Sequence, residues 1–360
     1  MPEKGMCFEF ARPRPSACVG RTAVIRFGAT RIQDRTASAA NTWISAPTIS
    51  IRAFASEGAY IGLIARDTEG LHVAASEAKK LSGKGLAVPA DVADADQVET
   101  AAARIENELG PIDVWVNNAM TTVFAPVAET TPAEFKRATE VTYLGAVYGT
   151  MAALRRMLPR NAGHIIQVGS ALAYRSIPLQ AAYCGAKHAI AGFTDSLRTE
   201  LIHDRKDIIL TMVQLPAMNT PQFTWCRSKM PNHPRPVPPI FQPEVAAERI
   251  VWASHHKRRE IFVGAPTVIA IEANKFAPAL GDLYLARTGF DSQQTPEPVS
   301  KDRPDNLFEP LPGDFGAHGV FGQQAHDQAA TTWLSQHKGI AALAGAALGF
   351  VAFALRERTS

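Results

Sequence analysis

The sequence predicts an α/β protein, a doubly wound parallel sheet with a C-terminal extension that ends in a hydrophobic helix. Between residues 51 and 263, short apolar runs alternate with longer amphipathic stretches. Continuous β-branched runs that are each followed by a helical stretch are typical of parallel strands covered on both faces. Strands are predicted at residues 59–64, 85–89, 112–116, 164–168 and 208–213.

Composition divides the chain into four zones. Residues 1–50 form an atypical N-terminal segment with little periodicity, and residues 51–263 form the predicted sheet domain. Residues 264–338 are a mixed extension with Pro and Gly concentrated late in it, whereas residues 339–355 are uncharged and apolar throughout. A chain of 360 residues divided in this way predicts one domain with extensions rather than two equal domains.

Composition and charge exclude several classes of protein. Hydrophobic residues make up 46% of the chain and charged residues 20%, which are ordinary fractions for a globular protein. A formal net charge of +3 is too small and too dispersed to indicate a nucleic-acid partner. The four cysteines show no C-x-x-C spacing, so we expect reduced thiols and neither a disulfide framework nor a metal site.

The strongest chemical signal is Tyr183 with Lys187 four positions later. On a helix, this spacing places both side chains on one face. A phenol is a poor acid–base catalyst at neutral pH, and an adjacent ammonium is expected to lower the pKa of Tyr183 towards the working range. Ser170 follows the strand predicted at residues 164–168, so its hydroxyl could hydrogen-bond the substrate oxygen that Tyr183 protonates or deprotonates.

Taken in order, the motifs of this chain resemble those of the short-chain dehydrogenase/reductase family, whose fold is Rossmann-like. Ser170, Tyr183 and Lys187 match the catalytic Ser, Tyr and Lys of that family. Thr142 stands where the family often has an Asn, and its backbone carbonyl is expected to hold a water linked to the Lys. The resemblance implies hydride transfer between a nicotinamide and a carbonyl or secondary alcohol, with Tyr183 as general acid/base.

The resemblance also implies a set of cofactor-binding residues beside Tyr183 and Lys187. One segment is similar to the family's N-N-A-G beside the adenosine, one to the acidic turn at the adenine ring, and one to the P-G-x-x-x-T that reaches the nicotinamide amide. The residues that these segments contribute are Asn118 and Ala119, Asp91 and Val92, and Pro216 and Thr220.

The end of the second predicted strand bears on cofactor choice. An NAD enzyme of this fold usually places an acid there to bind the ribose 2′-hydroxyl, but this chain has Ala65 followed by Arg66. A guanidinium suits a 2′-phosphate by its charge and its forked geometry. NADP is therefore favoured over NAD, with the alternative that Asp67 approaches the ribose in another register.

The glycine-rich phosphate-binding motif of the family is missing from its expected place. Counting back from residues 52–59, the motif should begin near residue 40, yet residues 40–50 contain no glycine. We therefore expect weaker phosphate binding, a poorly formed first strand, and an N-terminal segment that is not the ancestral start. Residues 22–30 offer a substitute strand, and the alternative function is a catalytically silent, membrane-tethered binding or scaffold protein.

The segment that follows Thr220 bears on the kind of substrate. The proline-rich segment after Thr220 contains Phe223, Trp225, Met230 and Phe241, which predict either an apolar cover for a hydrophobic substrate or ordinary loop packing.

The uncharged run at residues 339–355 is just long enough to span a bilayer, which favours membrane association with the catalytic domain facing the cytoplasm. A buried helix at a subunit interface is the alternative, and the family resemblance implies a homo-oligomer.

Overall fold

The predicted parallel sheet is confirmed by the computed structural model, which describes residues 39–41, 47–300, 302–311 and 315–329. The strands are β1 Ala39–Asn41, β2 Ile61–Ala65, β3 Gly85–Pro89, β4 Val114–Asn117, β5 Val123–Phe124, β6 Gly163–Ser170, β7 Ile208–Leu215, β8 Ala217–Met218, β9 Arg227–Ser228, β10 Asn232–Pro234, β11 Ile240–Phe241, β12 Glu260–Phe262, β13 Gln294–Pro298 and β14 Ala325–His326.

The α-helices cover both faces of the sheet and continue into the extension. They are α1 Pro47–Ser56, α2 Thr68–Ser82, α3 Ala95–Leu109, α4 Pro132–Thr139, α5 Gly145–Arg160, α6 Ala181–His203, α7 Gln222–Trp225, α8 Pro243–Ser254, α9 Ala265–Phe276 and α10 Pro278–Thr288. A π-helical turn, Glu140–Leu144, joins α4 to α5.

Seven strands form the main sheet, in the order β12-β7-β6-β4-β1-β2-β3, and every pairing between neighbours is parallel. β2 and β3 follow β1 on one side of it, and β4 then pairs with β1 on its other side, so the strand order reverses there. Ligands of such sheets bind beyond the carboxyl ends of the strands at this reversal. The sheet order therefore places the crevice between the ends of β1 and β4.

The first strand, β1, lies near residue 40, where the missing glycine-rich motif was expected to begin. Ala39–Asn41 pairs with both β2 and β4, so this three-residue segment holds the central position of the sheet. The substitute strand proposed within residues 22–30 lies outside the described residues. The central position of the sheet, which it would have filled, is held by β1. The other predicted strands are present with their ends shifted by a few residues.

Two apolar clusters, one on each face, hold the helices to the sheet. On one face, Ile51, Phe54 and Ile250 pack from α1 and α8 against β2 and β4. On the other face, Ile105 of α3 and Met157 of α5 pack against the same strands. Burial of these side chains on both faces explains why the strands read as continuous apolar runs in the sequence.

The C-terminal extension is largely ordered within the described residues. It contributes α9, α10 and then a segment that returns to the sheet domain, where β14 pairs with β11 in parallel. Among the described residues, the helices are all too short or too polar to cross a bilayer. The hydrophobic helix expected at residues 339–355 lies outside the described residues.

A buried amide network joins three elements beside the crevice. Asn117, the last residue of β4, accepts a hydrogen bond from Trp115 Nε1 (2.8 Å). Its Nδ2 donates to Thr150 Oγ1 (2.9 Å) and to Gln167 Oε1 (3.1 Å). Thr150 lies on α5 and Gln167 on β6, so one side chain fixes the end of β4 to both neighbours.

We expect Asn117→Ala to destabilise the fold by about 2 kcal/mol, because three buried polar groups lose a partner. Urea unfolding followed by circular dichroism measures the change. The matched control is Asn107→Ala, at an exposed position of α3, where a change of no more than about 0.5 kcal/mol is expected. Equal effects of the two substitutions would contradict the importance of the network.

Candidate active site

Ser170 ends β6 at the carboxyl edge of the sheet. Its hydroxyl is buried and accepts a hydrogen bond from the backbone N–H of Leu172 (3.1 Å), which turns the chain into a short 3₁₀ helix. Ser170 also lines the neighbouring cavity. This position matches the one expected from the sequence.

Tyr183 and Lys187 lie on successive turns of α6, on the face that the spacing predicted. The Lys187 amine is 5.5 Å from the centroid of the Tyr183 ring, and both residues line the same cavity as Ser170. Lys187 Nζ donates to the carbonyl of Val168 on β6 (2.6 Å). That contact places α6 against the end of β6, so the three predicted catalytic side chains meet.

The protonation of this pair differs from the sequence-based expectation. Burial raises the pKa of the Tyr183 phenol above its usual range, and a hydrogen bond from Ser170 acts in the opposite direction. Burial lowers the pKa of Lys187 to about 8. The expected lowering of the Tyr183 pKa is wrong for this structure, because burial is the largest influence on that pKa and raises it, while Lys187 Nζ donates to the Val168 carbonyl.

Thr142 is fully buried in the π-helical turn between α4 and α5. Its hydroxyl donates to the carbonyl of Thr121 (2.9 Å) and accepts from the N–H of the same residue (3.0 Å). This reciprocal pair holds the turn against the segment that follows β4. The side chain therefore has a structural task that the sequence did not indicate, while the role expected for its carbonyl stays a prediction.

One large cavity opens beside the catalytic side chains. It measures about 860 Å³, and the predicted site residues in its wall are Asn118, Ser170, Tyr183, Lys187, Pro216 and Thr220. Its remaining wall is largely apolar, with contributions from Phe223, Trp225, Ile269, Leu280, Tyr284 and Leu285. The cavity therefore combines a small set of hydrogen-bonding groups with a large apolar surface.

The proline-rich segment after Thr220 forms part of that wall. Of its four side chains that the sequence offered for an apolar cover, two line the cavity. Phe223 and Trp225, both on α7, are buried and line the cavity. Met230 and Phe241 do not line it. Phe241 packs into the main core instead, because β11 carries it beneath the sheet domain.

A second group of predicted residues lies at the ends of β2 and β3. Arg66 directly follows β2, and the pKa of its guanidinium is lowered to about 10, mainly by burial and then by the charge of Arg137. Asp91 Oδ2 accepts a hydrogen bond from Arg137 Nη2 (2.6 Å), and its Oδ1 accepts from the N–H of Ala93 (3.0 Å). Asp91 therefore pairs directly with Arg137, while the Arg66 guanidinium donates to the carbonyls of Asn306 (2.6 Å) and Phe308 (2.5 Å).

Asp67 has a different task from the one considered for it. Its carboxylate accepts hydrogen bonds from the N–H groups of Glu69 (3.3 Å) and Gly70 (3.0 Å), which caps the N-terminus of α2. Since both oxygens are used by the backbone, Asp67 is a helix cap in this structure. Arg66 is then the charged side chain that the end of β2 offers to a nucleotide.

The remaining predicted cofactor-binding residues are Val92 and Ala119. Val92 and Ala119 pack in or against the core under the crevice and carry no polar contact to it. The sequence did not indicate Asn219, which is fully buried after β8. Asn219 donates from its N–H to the carbonyl of Phe241 (2.8 Å), and its Oδ1 accepts from the N–H of Phe321 (3.0 Å). It therefore joins the end of β8 to β11 and to the C-terminal extension.

The fold and the Ser–Tyr–Lys arrangement define a class, the nicotinamide-dependent oxidoreductases built on a doubly wound parallel sheet. The chain belongs to the short-chain dehydrogenase family, because the model of that family, described as short chain dehydrogenase, matches residues 50–230. The match begins within α1, so the atypical N-terminal segment precedes it.

Relatives of known name are oxidoreductases. An uncharacterised oxidoreductase of Bacillus subtilis, YxnA, is 29% identical over 72% of this chain and 74% of its own length. Dehydrogenase/reductase SDR family member 7B of Bos taurus is 34% identical over 45% of this chain and about half (51%) of its own length. 3-Dehydrosphinganine reductase of Danio rerio is 32% identical over 54% of this chain and 60% of its own length.

Solved structures show the same fold. A short-chain dehydrogenase from Streptomyces avermitilis is 20% identical, with a TM-score of 0.60, over 72% of this chain and all of that one. An alcohol dehydrogenase from Thermococcus sibiricus, complexed with 5-hydroxy-NADP, is 22% identical with a TM-score of 0.54 over 63% of this chain and 95% of that one.

The lowered pKa of Lys187 predicts a pH-dependent stability. The unfolded chain keeps the Lys187 proton up to about 10.5, whereas the folded chain releases it near 8, so the unfolded state binds more protons between these values. Stability therefore rises with pH in this window. Relative to Lys187→Met, the wild type should gain about 2 kcal/mol between about pH 7 and about pH 9.5.

Urea unfolding at several pH values measures this difference. Lys206→Met, at an exposed position after α6, is the control and should show no such trend relative to the wild type. A wild-type advantage that is constant across the window would mean that Lys187 keeps its proton in the folded chain.

Proposed function

We propose that this chain catalyses NADP(H)-dependent hydride transfer between a nicotinamide and the carbonyl or secondary alcohol of an apolar substrate. One observation carries the proposal: Ser170, Tyr183 and Lys187 meet in the wall of one large cavity whose surface is mostly apolar. Polar groups in such a place orient a reacting oxygen, while the apolar wall takes the rest of the substrate.

The residues present fit a nicotinamide cofactor. Thr220, Pro216 and Asn118 line the cavity beside the catalytic groups, and Arg66 lies at the adenosine end of the crevice. When bound there, the cofactor supplies or accepts the hydride. Residues 42–46, where the phosphate-binding loop of the family would lie, are outside the described residues.

The proton chemistry belongs to Tyr183. Tyr183 is protonated at neutral pH and would donate its proton to a carbonyl oxygen, with the hydrogen bond from Ser170 opposing the rise in the pKa of its phenol that burial causes. Ser170 would hydrogen-bond the same oxygen and hold it within reach. Lys187, which is buried under Tyr183 and bonded to Val168, would replace the Tyr183 proton or stabilise the phenolate that donation leaves.

The preference for NADP(H) follows from the charge at the end of β2. Arg66 and Arg137 bring two guanidinium groups together at the end of β2, and a guanidinium suits a 2′-phosphate by its charge and its forked geometry. Asp67, the acid that could instead have favoured NAD, caps α2. The Thermococcus sibiricus structure, complexed with 5-hydroxy-NADP, is consistent with this preference at the level of the fold.

Two expectations stay predictions. Membrane association through residues 339–355, with the sheet domain facing the cytoplasm, would be tested by fractionation and carbonate extraction of cells that express the full chain. A homo-oligomer would be tested by light scattering.

Tyr183→Phe should lower the turnover of an apolar ketone by at least about a hundredfold, because the proton donor is lost. The affinity for NADPH, measured by fluorescence titration, should change by less than about twofold. Tyr148→Phe, at a partly buried position of α5, is the matched control and should keep both properties. Turnover above about a tenth of the wild-type value would contradict the role of Tyr183.

Arg66→Ala should weaken NADPH binding about tenfold or more while leaving NADH binding nearly unchanged, since only NADPH carries the 2′-phosphate. Fluorescence titration with each cofactor measures the two affinities. Arg104→Ala, which removes an exposed guanidinium from α3, should change neither. A wild-type chain that binds neither cofactor would instead favour a catalytically silent binding protein.

A further inference from the structure

The helices α9 and α10 carry an exposed apolar surface, here termed the outer face. On α9 it consists of Ile269 and Phe276, two helical turns apart, and on α10 of Leu280, Leu283 and Tyr284, at spacings of three and four residues. Phe276 is 85% exposed, and each of the other four side chains is more than half exposed. In the part of the chain that the structure describes, no residue of α10 is buried. An apolar surface of this kind marks a site of interaction.

The outer face borders the cavity that contains Tyr183. Three of its five side chains, Ile269, Leu280 and Tyr284, are also part of the cavity wall. Because each of them is both largely exposed and part of the wall, they lie where the cavity meets the surface. A partner that covers the outer face would therefore stand beside the opening through which a substrate enters.

One arginine fixes both helices to the catalytic segment. Arg175, five residues after Ser170, donates to Asn274 Oδ1 on α9 (3.0 Å) and to Asp282 Oδ1 on α10 (2.7 Å). The side-chain amide of Asn274 donates in turn to the carbonyl of Tyr174 (2.9 Å). The outer face is thus held at a defined place relative to the catalytic residues.

The charges of the two helices are compatible with lipid headgroups. Their two acids are both paired, Glu272 with Lys275 (2.8 Å) and Asp282 with Arg175 (2.7 Å). Arg287 is exposed in the last turn of α10. No acid of α9 or α10 is therefore left to repel a phosphate, and apolar side chains flanked by such polar groups suit the boundary between headgroups and acyl chains.

The position of the cavity favours a bilayer over a second protein as the partner. A protein docked on the outer face would lie across the opening of the cavity. A bilayer would cover the same side chains and would also dissolve the apolar molecules that a largely apolar cavity accepts.

The length of the C-terminal segment agrees with this choice. The uncharged run at residues 339–355 begins ten residues after Ala329, the last residue that the structure describes. A fully extended connection of that length spans only about 35 Å, so a run inserted in a bilayer would keep the sheet domain close to the lipid surface.

We propose that the outer face docks the protein on a lipid bilayer, with the cavity opening at the membrane surface, so that an apolar carbonyl substrate enters directly from the lipid. This proposal rests on the apolar substrate proposed above. It goes beyond membrane association through residues 339–355, because it gives the sheet domain a lipid-binding surface and an orientation of its own.

Quenching of a new tryptophan by vesicles of brominated phosphatidylcholine tests the docking in the full chain. In Phe276→Trp, the fluorescence added to that of the wild type should fall by about half, because the new side chain would lie among the acyl chains. The matched control is Ile202→Trp, at a position that is 70% exposed near the end of α6, at the amino-terminal edge of the sheet. Its added fluorescence should not be quenched.

The double variant Phe276→Asp with Leu283→Asp tests the route of the substrate. Neither side chain lines the cavity, so turnover of a short, water-soluble ketone should stay within about twofold of the wild-type value. The KM for a long-chain ketone presented in phosphatidylcholine vesicles should rise about tenfold, since that substrate would then have to cross water. Ile202→Asp should change neither property.

Three results would overturn the proposal. The first is vesicle binding by Phe276→Trp without quenching of its added fluorescence, which would mean that residues 339–355 bind the lipid alone. The second is a lower mass of the double aspartate variant in light scattering, which would make the outer face a contact between copies of the chain. The third is an unchanged KM for the long-chain ketone in that variant.

Failure of the proposed function gives a different result. Turnover of the short ketone by the wild type needs no vesicle, so its absence would count against the proposed reaction. The quenching of Phe276→Trp would still report whether the outer face binds lipid.

Discussion

The hydrogen bond from Lys187 to the carbonyl of Val168 sets the geometry on which the active site depends. It joins a buried turn of α6 to the end of β6, two residues before Ser170. Tyr183 lies one turn earlier on the same helix, so the contact also brings the phenol to the serine hydroxyl. Removal of water from this contact raises the pKa of Tyr183 and lowers that of Lys187, because both shifts disfavour a charged form.

Two parts of the chain contribute to the site: the ends of the parallel strands and the C-terminal extension. The ends of parallel strands supply Ser170, Arg66 and the amide network of Asn117, and their positions follow from sheet order and register. The C-terminal extension supplies the carbonyls of Asn306 and Phe308, which accept hydrogen bonds from Arg66, and the N–H of Phe321, which donates to Asn219. A family fold fixes the chemistry, and an appended segment adds contacts at both ends of the crevice.

Much of the fold and the catalytic set is local enough to be predicted from the sequence. The strands are continuous apolar runs, and the spacing of Tyr183 and Lys187 places them on one helix face whatever the rest of the chain does. The contact between Arg66 and Asn306 joins residues 240 positions apart and has no periodic signal. The pKa of Tyr183 was mispredicted because it depends on burial, which spacing alone does not reveal. For Phe241 the sequence left open a substrate cover and ordinary packing, and its place in the core agrees with the second alternative.

The pairing of β14 with β11 bears on how the protein is made. His326 lies against Phe241, and Phe321 packs on Phe223 with ring centroids 6.2 Å apart, so the final residues of the described chain complete the packing beneath the substrate cover. During translation, the sheet can form from residues that have already left the ribosome, but this packing must wait until Phe321 and His326 have been synthesised. A nascent chain therefore exposes an apolar cleft late in its synthesis, at the stage when a chaperone would be most useful to it.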